Sequence, residues 1–187
     1  KEANALIINF SGGEVFQRPD FLEIARYAKK HKFAVKIFTN GTLIDLKKAK
    51  EIAALAPLRV EITIYSTNPE THDRITRVTG SLRLSLRALK ELAKNRVPLR
   101  IKWPLTKYNA RDYKAVIDLA KSLNCQYQID PTIFPKTNGS SRPLGLRIED
   151  EDLKNVLTDP LLQEDPPRDA DHELPCSAGH NSCAISS

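Results

Sequence analysis

Residues Phe10 to Asp45 read FSGGEVFQRPDFLEIARYAKKHKFAVKIFTNGTLID, and the order of apolar runs and glycines in this stretch sets the architecture. The apolar run Ala5 to Phe10 predicts a buried strand that ends at Ser11-Gly12-Gly13-Glu14. Pro19 to Lys32 predicts a helix, with Phe21, Ile24, Ala25 and Ala28 on one face and Pro19 in the first turn, where its missing N–H is no loss. Ala34 to Phe38 predicts the next strand, followed directly by Thr39-Asn40-Gly41.

Outward from this stretch the unit repeats. Helix Ile44 to Leu55, strand Leu58 to Tyr65, helix Leu82 to Asn95, strand Pro98 to Pro104, helix Ala110 to Leu123 and strand Gln126 to Pro131 follow in order. Strands alternating with helices of these lengths predict an α/β fold with a parallel sheet. Periodicity alone does not choose between a doubly wound sheet and part of a barrel. In both, ligands sit beyond the carboxyl ends of the strands, and polar loops stand at those positions: SGGE, Thr39-Asn40-Gly41 and Ser66-Thr67-Asn68. After about residue 132 the pattern gives way to PKTNGSSRPLG, a short acidic helix over Glu149 to Leu157, and the stretch QEDPPRDADHELP. The expected division is a core over 1–135, a linker or extension over 136–175, and a cysteine-bearing segment over 176–187.

The bulk properties are those of a soluble globular chain: 187 residues, 41% hydrophobic, 28% charged. No apolar run approaches the ~20 residues of a membrane helix, and the start lacks the features of a secretory signal. The expected location is the cytoplasm. Residues 1–110 hold 21 Lys and Arg against 10 Asp and Glu, and the remainder 8 against 13. A basic half can attract nucleic acid, but scattered cations on amphipathic helices are more often a solvated face, so a nucleic-acid partner is not expected. Three cysteines do not make a disulfide scaffold. Methionine is absent, so the chain is expected to be either a fragment or a sequence from which methionines have been dropped.

Ser11-Gly12-Gly13-Glu14 places two residues without Cβ between a strand end and a helix, so backbone can approach a ligand closely. Glu14 adds a carboxylate suited to an ammonium group, although Gly-Gly-Glu alone also reads as a tight turn. Phe10 to Asp45, Val60 to Ser81 (VEITIYSTNPETHDRITRVTGS) and Ile101 to Tyr113 (IKWPLTKYNARDY), taken in order, resemble the radical S-adenosylmethionine (SAM) enzymes. Val15 stands where that family usually has Pro. The resemblance implies a partial (β/α)6 barrel, with the present strands matching its second to sixth. It also implies a catalytic four-iron, four-sulfur cluster held by a CxxxCxxC loop. This sequence has no such loop, so the cluster ligands are expected upstream of Lys1 and the fragment alone is expected to be inactive.

By the same resemblance, Ser11, Gly12, Gly13 and Glu14 bind the methionine ammonium of SAM, and Thr63 bonds the ribose. Arg77 pairs with the SAM carboxylate, with Arg74 as competitor. Asn40 reaches the cofactor or caps its turn. In strand Leu58 to Tyr65, Glu61, Thr63 and Tyr65 share one face, which places Thr63 among polar neighbours. Lys102 alternates with Ile101 and Trp103 and is a substrate-site candidate.

LPCSAGHNSCAIS resembles the opening of a SPASM extension, which makes Cys176 and Cys183 ligands of an auxiliary iron–sulfur cluster, with His180 between them facing solvent. Cys125 reads as a small buried hydrophobe. The expected function is reductive cleavage of SAM to a 5′-deoxyadenosyl radical that abstracts hydrogen, in peptide modification or cofactor biosynthesis. The expected partners are a peptide or small-molecule substrate, a leader-peptide-binding protein, and an electron donor such as flavodoxin or ferredoxin. A barrel that binds SAM or peptide without chemistry is the alternative.

Overall fold

The computed structural model describes residues 5–136 and 138–162. Five parallel strands, β1 (Ile7–Phe10), β2 (Ala34–Thr39), β3 (Arg59–Thr63), β4 (Leu99–Pro104) and β5 (Gln126–Asp130), pair in strict sequence order. This order decides what periodicity left open. A doubly wound sheet reverses strand order at a switch point, whereas an unreversed order with right-handed crossovers puts every helix on the same face. The sheet is therefore an arc of a barrel. Its outer face is covered by α1 (Phe21–Lys30), α2 (Leu46–Leu55), α4 (Ser81–Lys94) and α5 (Tyr113–Ser122), while the short α3 (Pro69–Thr76) packs on α4 at the carboxyl ends of the strands.

Side chains alternate accordingly. Val35, Ile37, Val60, Ile62, Leu99, Ile101 and Trp103 lie buried between sheet and helices. They meet Ala25 and Ala28 of α1, Ala49 and Ile52 of α2, and Leu89 and Leu92 of α4. The lumen face is polar. Near the amino ends of the strands, Glu61 is 4% exposed and accepts from Arg59 Nε at 3.0 Å. Arg59 and Arg100 both donate to Gln126 Oε1, and Arg100 also donates to Gln128 Oε1. Burial first, and then the neighbouring Arg59 guanidinium, lower the pKa of Lys36 on the same face.

Helix ends explain where the expected boundaries shift. The first helix begins at Phe21 rather than in the turn of Pro19, because Val15–Gln17 forms its own 3-10 turn capped by Glu14. α2 begins after Asp45, whose Oδ1 accepts from Lys48 N at 2.8 Å. No helix is expected between β3 and α4 from the apolar pattern, yet α3 is there: Asn68 Oδ1 accepts from the amides of Glu70 and Thr71, and Pro69 occupies the first turn. Lys32, Ala56, Arg77, Arg96 and Asn124 take positive φ just past helix ends, doing without glycine what a C′ glycine usually does. After β5, α6 (Asp150–Leu157) packs against the barrel side rather than hanging free, burying Val156, with Ile148 just before it. Among the described residues no helix is long and apolar enough to cross a membrane. Cys176, Cys183 and His180 lie outside the described residues.

Candidate functional site

At the carboxyl ends of β1 to β4 lies a cavity of about 640 Å³, within the range of small-molecule and cofactor pockets. Ser11, Gly12, Gly13, Asn40, Thr63 and Lys102 share its wall. They come from four different strand ends and meet because parallel pairing sets the strand ends side by side: Phe10 pairs with Ile37, Thr39 with Ile62, and Thr63 with Lys102.

Glu14 plays a different part from its neighbours. It is 9% exposed, and its carboxylate turns inward and ties two loops together. Oε1 accepts from Phe16 N at 3.1 Å and Thr39 Oγ1 at 2.7 Å, and Oε2 accepts from Asn40 N at 2.8 Å. Glu14 thus holds Ser11-Gly12-Gly13 against the Thr39-Asn40-Gly41 turn without itself lining the cavity. Asn40 both lines the wall and caps its turn, with Oδ1 accepting from Thr42 N and Thr42 Oγ1. Gly41 needs to be glycine: its φ is +77°, and a Cβ would stand 3.2 Å from Ala88 Cβ. At Gly12 and Gly13 the reason differs. A Cβ there would meet nothing within 4 Å, so the bare backbone faces open space into which a ligand fits.

Thr63 and Tyr65 reach the cavity as the alternation of β3 requires, and burial raises the Tyr65 phenol pKa. Two bonds hold the strand end above it: Trp103 Nε1 and Asn109 Nδ2 both donate to Tyr65 O, at 2.8 and 2.7 Å. The Lys102 ammonium lies over the Phe38 ring at 5.4 Å and has no ion pair or hydrogen bond among the described residues. It is a cation without an anion on the cavity wall. Arg77, at the left-handed residue closing α3, is exposed; Thr76 and Val78 on either side line the cavity, but Arg77 does not. Arg74 stacks over the Tyr108 ring at 4.8 Å.

His72 was not singled out in the sequence. It is 2% exposed and lines the cavity from α3, its ring edge-on to Tyr65 at 5.9 Å. The signal was legible: Asn68-Pro69-Glu70 is a cap, a first-turn proline and an acidic first turn, which together start a helix.

For SAM the fit is good, since exposed Gly backbone, hydroxyls and a free cation share one cofactor-sized cavity. For a cluster the described residues supply no ligand set. Cys125 is the one cysteine among them, beside the amino end of β5, with burial pushing its thiol to about 11, so it holds its proton at neutral pH.

Comparison with known proteins agrees with this geometry. The chain is 33% identical over 117 residues to the AdoMet-dependent heme synthase of Methanosarcina barkeri, covering 63% of this chain and 34% of that protein. It is 41% identical over 86 residues to the mycofactocin maturase MftC of Mycobacterium tuberculosis, covering 46% and 22%. The chain thus spans about a third or less of these relatives. Its fold matches Streptococcus suis SuiB with a TM-score of 0.65 at 14% identity, over 80% of this chain and 34% of SuiB. The radical SAM superfamily model matches residues 1–120, and with the sequential parallel sheet and its carboxyl-end cavity this shows that the chain belongs to the radical SAM superfamily.

Proposed function

We propose that this chain forms the SAM-binding part of a radical SAM enzyme. The observation that carries the reading is the convergence of Ser11, Gly12, Gly13, Asn40 and Thr63 on one cavity at the strand carboxyl ends. In this reading the backbone of Ser11 to Gly13 receives the methionine ammonium, with Glu14 fixing that backbone from behind. Thr63 offers a hydroxyl to the ribose, since it can both donate and accept. Lys102 is the cation that the wall presents to a carboxylate, and Arg77 stands at the rim as the second. When bound together, SAM and a four-iron, four-sulfur cluster supply reductive carbon–sulfur cleavage and hydrogen-atom abstraction. The chain's own residues orient SAM and exclude competing water. The heme synthase and maturase relatives favour a substrate in cofactor biosynthesis, and a peptide residue is the narrower reading, drawn from the resemblance to peptide maturases alone. Cys176 and Cys183 serve an auxiliary cluster, and a flavodoxin or ferredoxin supplies electrons.

The test uses the full reading frame, purified and reconstituted anaerobically with iron and sulfide. On reduction it is expected to release 5′-deoxyadenosine from SAM. Iron-loaded protein that binds SAM and releases none contradicts the catalytic reading and leaves a SAM-binding barrel.

A further inference from the structure

Register pairing sets Asn9 of β1 beside Lys36 of β2, and Lys36 beside Arg59 of β3. The alternation that turns Ile8, Val35, Ile37 and Val60 toward the outer helices turns these three into the lumen. They make one row, an amide, an ammonium and a guanidinium, near the amino ends of the strands. Arg59 spends Nε on Glu61 Oε1 and Nη1 on Gln126 Oε1, both at 3.0 Å. Among the described residues, Arg59 Nη2 and the side chains of Asn9 and Lys36 make no hydrogen bond, and Lys36 has no ion pair. Glu61 is the one carboxylate among them that favours the Lys36 charge, and it is already engaged by Arg59. Burial, Arg59 and Arg100 all work against that charge. A partly buried ammonium beside a guanidinium is held where like charges repel, and an anion between the two relieves both.

We propose that Asn9, Lys36 and Arg59 form an oxyanion site that holds the acid group, a carboxylate or phosphate, of the organic substrate of this barrel. That the ligand is a substrate rests on reading the cavity above as a SAM site; the oxyanion site stands without it. The row itself selects the group. An ammonium and a guanidinium, with an amide N–H beside them, match the oxygens of one carboxylate or phosphate. Depth selects the kind of molecule. Phe38, two residues after Lys36, lines the cavity, as does Thr63, four residues after Arg59. At ~3.3 Å per residue the row therefore lies about 7–13 Å below the cofactor layer. A substrate anchored here by its acid group runs upward along the Phe38 ring and presents a carbon to that layer from beneath. Lys102, on the cavity wall, remains for the carboxylate of SAM.

The experiment uses the full-length protein without reductant, at fixed ionic strength with chloride as the balancing ion. Inorganic phosphate, acetate and hexanoate are titrated by calorimetry. All three are expected to bind, hexanoate about tenfold or more tighter than acetate because its chain covers apolar surface at Phe38. Lys36→Met is expected to weaken each anion about tenfold or more. In chloride alone the same variant is expected to keep or raise the Tm, since it removes an unpaired charge and no ion pair. Lys36→Arg, which keeps the charge, is expected to retain most of the affinity. Anions that bind no better than chloride, or equally well to wild type and Lys36→Met, overturn the proposal. Acetate and hexanoate bound alike mean an inorganic-ion site and overturn the substrate assignment. SAM is titrated separately. Protein that binds SAM but none of the anions overturns the proposal and leaves the SAM site standing. Protein that binds the anions but not SAM overturns the cofactor reading, and with it the substrate assignment.

Discussion

Glu14→Ala is expected to lose about 3–5 kcal/mol of stability, the sum of leaving three donors without an acceptor at roughly 1–3 kcal/mol each, reduced because water reaches the part-buried one. The three are Phe16 N, Thr39 Oγ1 and Asn40 N, and they belong to two loops that no other side chain among the described residues joins so directly. Glu14→Gln keeps one oxygen but turns an amide N–H₂ on a backbone donor, so about half of that loss is expected. Chemical denaturation of the full-length protein measures both. SAM affinity should fall in both variants, because the Ser11 to Gly13 backbone loses its anchor. A variant of unchanged stability that loses SAM binding alone would mean that the carboxylate contacts the ammonium itself, against the inward geometry described above.

Gly41→Val is expected to cost about 3–4 kcal/mol. The left-handed conformation alone costs an L side chain roughly 1–2 kcal/mol, and overpacking adds about 1–3 kcal/mol. Both apply at Gly41, with φ at +77° and Ala88 Cβ 3.2 Å and Ile62 Cδ1 3.4 Å from the added carbon. Gly12→Ala and Gly13→Ala are the contrast. Nothing lies within 4 Å of either new methyl, so stability should stay near wild type while the methyl intrudes on the ligand's space. The Tm of Gly41→Val is expected to drop by several degrees, with near wild-type Tm and weakened SAM binding in the other two.

The strands, their order along the chain and the outer core were legible because each strand turns alternate apolar residues toward the outer helices, as in Val60, Ile62 and Ile64. Strand order in space was not, since alternation alone does not say whether crossovers reverse. Helix carboxyl ends fall within two residues of the expected ones even though their left-handed caps are Lys32, Ala56, Arg96 and Asn124 rather than glycine, while the amino ends shift by up to three residues because local turns and caps precede them. The site was legible as a set of strand-end loops. What the sequence could not show was direction. Gly-Gly-Glu reads as one ligand-facing unit, but Glu14 points inward because Thr39 and Asn40 offer three-dimensional donors 25 and 26 residues away. His72 was missed with the helix that carries it, although Asn68-Pro69-Glu70 marks the start of that helix.

The most direct test of the central claim is a crystal structure of the full-length protein with SAM. The account predicts the methionine ammonium within hydrogen-bonding distance of the Ser11 to Gly13 backbone, with the adenosyl group extending past Thr63. SAM seated elsewhere in the barrel, with Gly12 and Gly13 still facing solvent, would contradict it.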